Sequence, residues 1–69
     1  MKTVKIRALA FPSAHKALEH AATEHGKAVL LEGKPFVVWE DDCVRLAAAG
    51  VSFAYLCEHK GQIMSVPVN

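Results

Sequence analysis

The residues of this chain best suited to chemistry are four histidines and two cysteines among 69 residues. Imidazole nitrogens and thiolates are common zinc ligands, and both groups also serve as bases or nucleophiles in enzymes. Three of the histidines, His15, His20 and His25, are spaced by five residues. Five positions turn a helix by about 140°, so neighbouring members of this series cannot share one ligand face. The histidines therefore predict neither a metal site nor a cofactor.

The two cysteines, Cys43 and Cys57, offer a weaker pattern. Cys57-Glu58-His59 could chelate a metal at a strand end, but no spacing in the chain matches a zinc finger or knuckle. Cys43 is expected in the first turn of a helix, where the dipole lowers a thiol pKa. The preceding acids, Glu40-Asp41-Asp42, oppose that effect because they penalise a thiolate. We interpret both cysteines as reduced, packed thiols.

Carboxylates and glycines add no catalytic pattern. Asp41 and Asp42 are adjacent near a helix start and point in different directions, whereas a catalytic pair needs convergent side chains in a pocket. The four glycines are scattered and form no phosphate-binding loop. We predict no catalytic residues and favour a protein that is not an enzyme. A small enzyme with a site at a dimer interface remains an alternative.

Size and composition favour self-association. The chain forms one domain, residues 1–69, and is 52% hydrophobic, above the roughly 45–50% usual for soluble domains. So small a domain has little interior in which to hide these side chains, and a homodimer is the commonest solution. The net charge of +1 does not favour a protein held to nucleic acid by bulk electrostatics.

The chain is expected to be cytoplasmic and not to contact a membrane. Met1-Lys2 leads directly into an alternating strand pattern, without the apolar segment of a secretory signal. No uninterrupted apolar stretch approaches the roughly 18 residues that a membrane span requires.

The first half of the chain changes its hydrophobic period twice. Lys2–Ala8 alternates between polar and apolar residues, which predicts a strand with one wet face. Ser13 can cap a helix that has an apolar stripe, and Gly26 suits the left-handed position that closes it. Ala28–Leu31 and Phe36–Trp39 are apolar runs across a Gly-containing turn, and they predict a hairpin.

The second half predicts a short helix and two more strands. Cys43–Ala49 gives about two helical turns after the three acids. Val51–Cys57 and Ile63–Val68 are extended runs, and Pro67 indicates an edge strand. The whole order, β-α-β-β-α-β-β, predicts an α+β fold: a two-layer sandwich with both helices on one face of the sheet. We expect a ferredoxin-like (split βαβ) arrangement with an extra C-terminal edge strand.

The predicted central hairpin is apolar at both strand parities, so both of its faces must be covered. If the helices cover one face, a second copy or another protein partner is expected on the other. The residues predicted to form that contact are Phe36, Val38, Trp39, Phe53 and Tyr55. The leading functional hypothesis is a small, non-catalytic, homodimeric binding or interaction module.

Residues 13–49 resemble the N-terminal half of Phd/YefM-type antitoxins. The residues that carry the resemblance are Gly26, Val29-Leu30-Leu31, Gly33-Lys34-Pro35, Phe36-Val37-Val38, Glu40-Asp41-Asp42 and Leu46. The resemblance implies an intertwined dimer with two helical pieces between its first two strands. It also implies a DNA-binding transcriptional regulator or antitoxin, with Lys2, Lys5 and Arg7 as candidate phosphate contacts. The chain departs from the family at its end, where an apolar hairpin closing at Val66-Pro67-Val68 replaces a flexible toxin-binding tail.

Overall fold

Local sequence signals explain most element boundaries in the computed structural model, which describes residues 6–68. The elements are β1 (Leu9–Ala10), α1 (Ala14–Glu24), β2 (Lys27–Leu31), β3 (Lys34–Val38), α2 (Glu40–Ala48), β4 (Phe53–His59) and β5 (Gln62–Val68). The five strands form one open antiparallel sheet in the order β1-β3-β2-β4-β5. The predicted α+β class and the C-terminal edge strand are confirmed.

The first described strand, Leu9–Ala10, begins just after the end of the predicted strand Lys2–Ala8. Within the described residues only Leu9 and Ala10 pair with β3, whereas Lys2–Ala8 was expected to form the strand. Residues 6–8 are not part of the sheet, and the backbone N–H of Arg7 donates to the Asp42 carboxylate. Residues 2–5 of the predicted strand lie outside the described residues.

Both predicted hairpins form, and each closes through a two-residue turn. Glu32 and Gly33 have φ of 53° and 77°, and Lys60 and Gly61 have 51° and 78°. Positive φ at both central residues is the requirement of the tight turn that matches the twist of paired strands. Glycine supplies that conformation at the second position of each turn.

Helix α1 begins as predicted and ends differently. The hydroxyl oxygen of Ser13 accepts a hydrogen bond from the backbone N–H of Lys16, which caps the helix. The left-handed residue at the C-terminus is His25 (φ 56°), not Gly26. Gly26 is needed for space, because a Cβ there would lie 2.8 Å from Cγ1 of Val37.

Between β1 and β2 the chain has one uninterrupted helix, α1, where the antitoxin resemblance implies two helical pieces.

The helices lie on opposite faces of the sheet, so the two-layer expectation is wrong. Ala17 and Ala21 of α1 pack with Ala28, Val37 and Leu56 on one face. On the other face, Cys43 and Leu46 of α2 pack with the strand residues Val29, Val38 and Phe53. Neighbouring residues of β2 and β3 point to opposite sides of the sheet. The continuous apolar runs in these strands are therefore each covered on both faces.

The position of β4 explains this arrangement. In a ferredoxin-like sheet the strand after the second helix pairs with the first strand, but here β4 pairs with β2. Each helix still joins two parallel strands that are separated by one strand between them. The crossovers β1-α1-β2 and β3-α2-β4 both advance in the same direction across the sheet, but β1 and β3 run antiparallel to each other. If both crossovers are right-handed, their helices must therefore lie on opposite faces of the sheet. The ferredoxin-like strand order is accordingly not confirmed.

Candidate functional site

Strand β5 holds a concentration of large, exposed apolar side chains. Five large apolar side chains are exposed among the described residues, and three of them are on β5: Ile63, Met64 and Val66, at 38%, 50% and 51%. Single exposed apolar residues are ordinary on protein surfaces, but Met64 and Val66 share one face of β5, and apolar side chains grouped in this way mark an interaction site. The β4–β5 hairpin is therefore the candidate site.

The hairpin is exposed because it is longer than the strand beside it. Seven residue pairs join β4 to β5, from Phe53–Val68 to His59–Gln62. Only two pairs join β4 to β2, namely Val29–Tyr55 and Leu30–Ala54. The outer half of the hairpin consequently extends past the paired part of the sheet.

One side of the hairpin continues the core cluster beneath α2. The strand register places Tyr55 opposite Val66 and Cys57 opposite Met64, and all four side chains are on the same side as the buried Phe53. The rings of Phe53 and Tyr55 meet edge to face, with centroids 5.5 Å apart. We call Tyr55, Cys57, Met64 and Val66 the hairpin face.

Among the described residues, no strand pairs with the outer backbone edge of β5. The residues flanking a two-residue turn form a hydrogen-bonded pair, and such pairs alternate along an antiparallel ladder. His59–Gln62 is the flanking pair, so Gln62, Met64 and Val66 direct their backbone groups toward β4. Ile63, Ser65 and Pro67 direct theirs outward. Proline has no N–H to leave unpaired at this edge, which agrees with the predicted edge position.

Most residues predicted to contact a partner pack within the chain instead. Val38 and Phe53 are buried in the cluster beneath α2, so they offer no surface to another molecule in this conformation. Phe36 and Tyr55 are half-buried and pack against the same cluster. Of the five residues predicted to contact a partner, Tyr55 alone belongs to the hairpin face. Helix α2 covers the sheet face for which a partner was predicted.

Trp39, the remaining predicted contact residue, is held by neighbours at both ends. Its indole Nε1–H donates to the carbonyl oxygen of Glu24 at 3.3 Å. The guanidinium carbon of Arg7 lies 4.4 Å from the centre of the ring, a cation–π distance. Trp39 therefore joins the end of α1 to the N-terminal segment.

The predicted nucleic-acid contacts do not form a basic patch in the described residues. Lys2 and Lys5 lie outside them. Arg7 borders a cavity of about 390 Å³ together with Asp41, Asp42 and Arg45. Two cations and two carboxylates leave this surface without a formal charge excess, whereas phosphate binding depends on cationic excess.

Asp42 is a structural residue whose role the sequence pattern indicated only in part, since either Asp41 or Asp42 was able to cap α2. Its carboxylate is 3% exposed and accepts hydrogen bonds from the backbone N–H groups of Trp39 and Arg7. A guanidinium nitrogen of Arg45 lies 3.6 Å from Oδ1. An acid in the third position of a helix was a usable signal for the bond to Trp39. The bond to Arg7 is long-range and had no local signal.

The two cysteines are in different environments. Cys43 is buried, as predicted, and belongs to the cluster against which Tyr55 packs. The interaction of the Tyr55 hydroxyl with Cys43, then burial, then the negative charges of Cys43 and Glu40 raise the pKa of Tyr55 above its ordinary value of 10.0. Cys57 is exposed rather than packed, and both thiols are free.

Cys43 and Tyr55 also line an open cavity. It is about 460 Å³ in volume, and its other lining residues are Lys27, Glu40 and Leu56. The cavity brings a thiol, a phenol and two oppositely charged groups to one place. The thiol is nevertheless buried beside a phenol that keeps its proton more firmly than usual, which is unlike the electropositive surroundings of a reactive cysteine.

Two histidines of α1, His15 and His20, make side-chain contacts. His15 Nε2 lies 2.8 Å from Glu19 on the same helix, and its Nδ1 lies 4.0 Å from Glu58 on β4. The ring of His20 packs against Phe11, with centroids 5.0 Å apart. Within residues 6–68 no group of three or more His, Cys, Asp or Glu side chains is placed to hold a metal ion.

Neither described helix has the length and hydropathy to cross a bilayer. No protein-family model, curated protein or solved structure matches the chain.

Proposed function

We propose that this protein is a small, non-catalytic interaction module that works as a homodimer, with the β4–β5 hairpin as its contact surface. The observation that carries the proposal is the concentration of exposed apolar side chains on β5, whose outer backbone edge pairs with no other strand in the part of the chain that the structure describes.

The composition of β5 supports the proposal. Natural proteins protect edge strands with charged side chains, with short length or with proline, because an open edge invites another strand to pair. Strand β1, at the opposite edge, is only two residues long. Strand β5 is seven residues long, Gln62–Val68, and contains no charged residue. Its protection is limited to Pro67, near one end.

The hairpin face adds apolar area to this edge. Met64 and Val66 are about half exposed, and Cys57 is exposed beside them. A partner that pairs with β5 would cover these side chains and satisfy the outward backbone groups of Ile63 and Ser65. Both gains favour association, since buried apolar area and paired backbone groups each stabilise a complex.

The arrangement of the reactive groups in residues 6–68 favours an interaction role over catalysis. The buried Cys43 thiol has a phenol as its partner, and His15 is paired with glutamates on an exposed surface. Neither arrangement resembles a nucleophile with an oriented base. The enzyme alternative would need groups from a second copy to complete a site.

Light scattering coupled to size-exclusion chromatography tests the proposal. We expect wild-type protein to be dimeric at micromolar concentration. Val66→Lys places a charge in the hairpin face and should weaken the dimer at least tenfold, equivalent to about 1.4 kcal/mol. The matched control is Val44→Lys, because Val44 is 63% exposed on α2, away from the hairpin. A monomeric wild type, or equal weakening by both variants, would overturn the proposal.

A further inference from the structure

We infer that the second copy pairs with β5 antiparallel to it, about a two-fold axis at Ser65, so that the two sheets become one continuous sheet. This inference rests on the proposed homodimer and specifies its geometry. A two-fold dimer uses the same patch on both copies, so the patch must be complementary to itself. The sequence of β5 is more complementary to itself with the two-fold axis at Ser65 than with the axis at Met64.

The outward backbone groups limit the registers to be compared. Ile63 and Ser65 each present an N–H and a carbonyl, and Pro67 presents only a carbonyl. An axis at Ser65 pairs the two copies of Ser65 and pairs Ile63 with Pro67. An axis at Met64 pairs Ile63 with Ser65. Both registers allow the same number of backbone hydrogen bonds, because proline still accepts one from Ile63.

Side chains decide between the registers. With the axis at Ser65, Met64 lies opposite Val66 of the second copy on the hairpin face, and this pair occurs twice. Ile63 lies opposite Pro67 on the other side. With the axis at Met64, Val66 would oppose Gln62, and Ile63 would oppose Ser65. Directly opposed side chains are the main stabilising pairs of a sheet, so the first register is favoured.

The same register keeps like charges apart. Lys60, in the hairpin turn, would lie about 30 Å from its copy at the opposite end of the paired strands. The two-fold axis at Ser65 is perpendicular to the continuous sheet, so the hairpin faces of both copies lie on the same side of that sheet. Tyr55, Cys57, Met64 and Val66 of the two copies would then form one apolar surface between the two α2 helices.

Cysteine cross-linking distinguishes the registers. Three variants, Ser65→Cys, Met64→Cys and Ile63→Cys, are made with the exposed Cys57 replaced by serine, oxidised with diamide and separated on non-reducing gels. Two copies of residue 65 would have Cα atoms about 5.5 Å apart, within the range for a disulfide. Two copies of residue 63 would be about 13 Å apart, and S65C should therefore cross-link at least tenfold faster than I63C. M64C should also be slow.

Hydrogen exchange gives an independent readout in unmodified protein. The amides of Ile63 and Ser65 should be protected in the dimer and should exchange at least tenfold faster in Val66→Lys. The amides of Met64 and Val66 face β4 and should stay protected in both. A dimer in which M64C or I63C links fastest, or in which the Ser65 amide is unprotected, overturns this geometry while the proposed dimer stands. A monomeric wild type overturns both.

Discussion

The carboxylate of Asp42 accepts a hydrogen bond from the backbone N–H of Arg7, 35 residues earlier, at 3.1 Å. The other oxygen of the same carboxylate accepts from the backbone N–H of Trp39 at 3.0 Å, at the start of α2. One buried side chain thus satisfies donors from two distant segments. Asp42 thereby attaches the segment that precedes β1 to the N-terminus of α2.

Removing this carboxylate should destabilise the fold. Asp42→Ala leaves two part-buried N–H groups without their acceptor, and we expect a loss of about 2 kcal/mol in the free energy of unfolding. Asp41→Ala is the matched control: Asp41 is exposed on the same helical turn, and its loss should be about 0.5 kcal/mol. Urea unfolding followed by the fluorescence of Trp39 measures both. Equal losses would contradict the structural role of Asp42.

Gly26 should resist substitution for reasons of space. A Cβ at this position would lie 2.8 Å from Cγ1 of Val37 and 3.1 Å from the carbonyl oxygen of Val38. Since Val37 is buried and cannot move freely, Gly26→Ala should cost about 1–3 kcal/mol. Gly33→Asn is the control, because an added Cβ there meets no atom within 4 Å and asparagine tolerates its positive φ. Thermal unfolding should show a clear loss for Gly26→Ala and little change for the control.

The effect of Cys43 on the pKa of Tyr55 can be followed by titration. Tyr55 is the only tyrosine in the chain, so the absorbance of tyrosinate reports on it alone. We expect a midpoint above pH 10.0 in the folded protein, because the interaction with Cys43, burial and the nearby negative charges raise the pKa. Cys43→Ala should lower the midpoint, whereas Cys57→Ala should leave it unchanged. Identical midpoints in the wild type and Cys43→Ala would show that the thiol does not act on Tyr55.

The same pKa shift predicts a loss of stability in alkali. Because the folded state holds the phenolic proton more firmly than the unfolded state, the contribution of Tyr55 is fully present below pH 10. It is lost as the pH rises through the higher midpoint of the folded protein. Urea unfolding between pH 9 and pH 11 should therefore show a steeper fall for the wild type than for Cys43→Ala.

Local features of the fold were predictable from the sequence because neighbouring residues determine them. Ser13 lies three residues before the Lys16 N–H that it caps, and glycines occupy the second position of both tight turns. The strand order depends instead on whether β4 pairs with β1 or β2, and no short stretch of sequence encodes that choice. The error in placing the helices followed from it.

The candidate site shows the same division. Val38 and Phe53 were predicted at an interface because apolar residues at both parities require cover on both faces. The signal for their actual cover was present in α2, where Cys43 and Leu46 are three residues apart on one side of the helix. For β5, the uncharged run and Pro67 indicated an edge, but the exposure of Met64 depends on how far β2 extends beside β4. Only the folded sheet shows that length.

A test with DNA separates the interaction module from the regulator implied by the antitoxin resemblance. Arg7 lies over Trp39 beside Asp41 and Asp42, so we expect no shift of a generic duplex in gels at 50 mM salt, at pH 7 or at pH 6. The lower pH is included because four protonated histidines would raise the formal net charge from +1 to +5. Arg7→Ala serves as the comparison and should behave like the wild type. A shift that weakens steeply with salt and is reduced in Arg7→Ala would instead support the regulator, since each lost phosphate contact lowers the salt dependence.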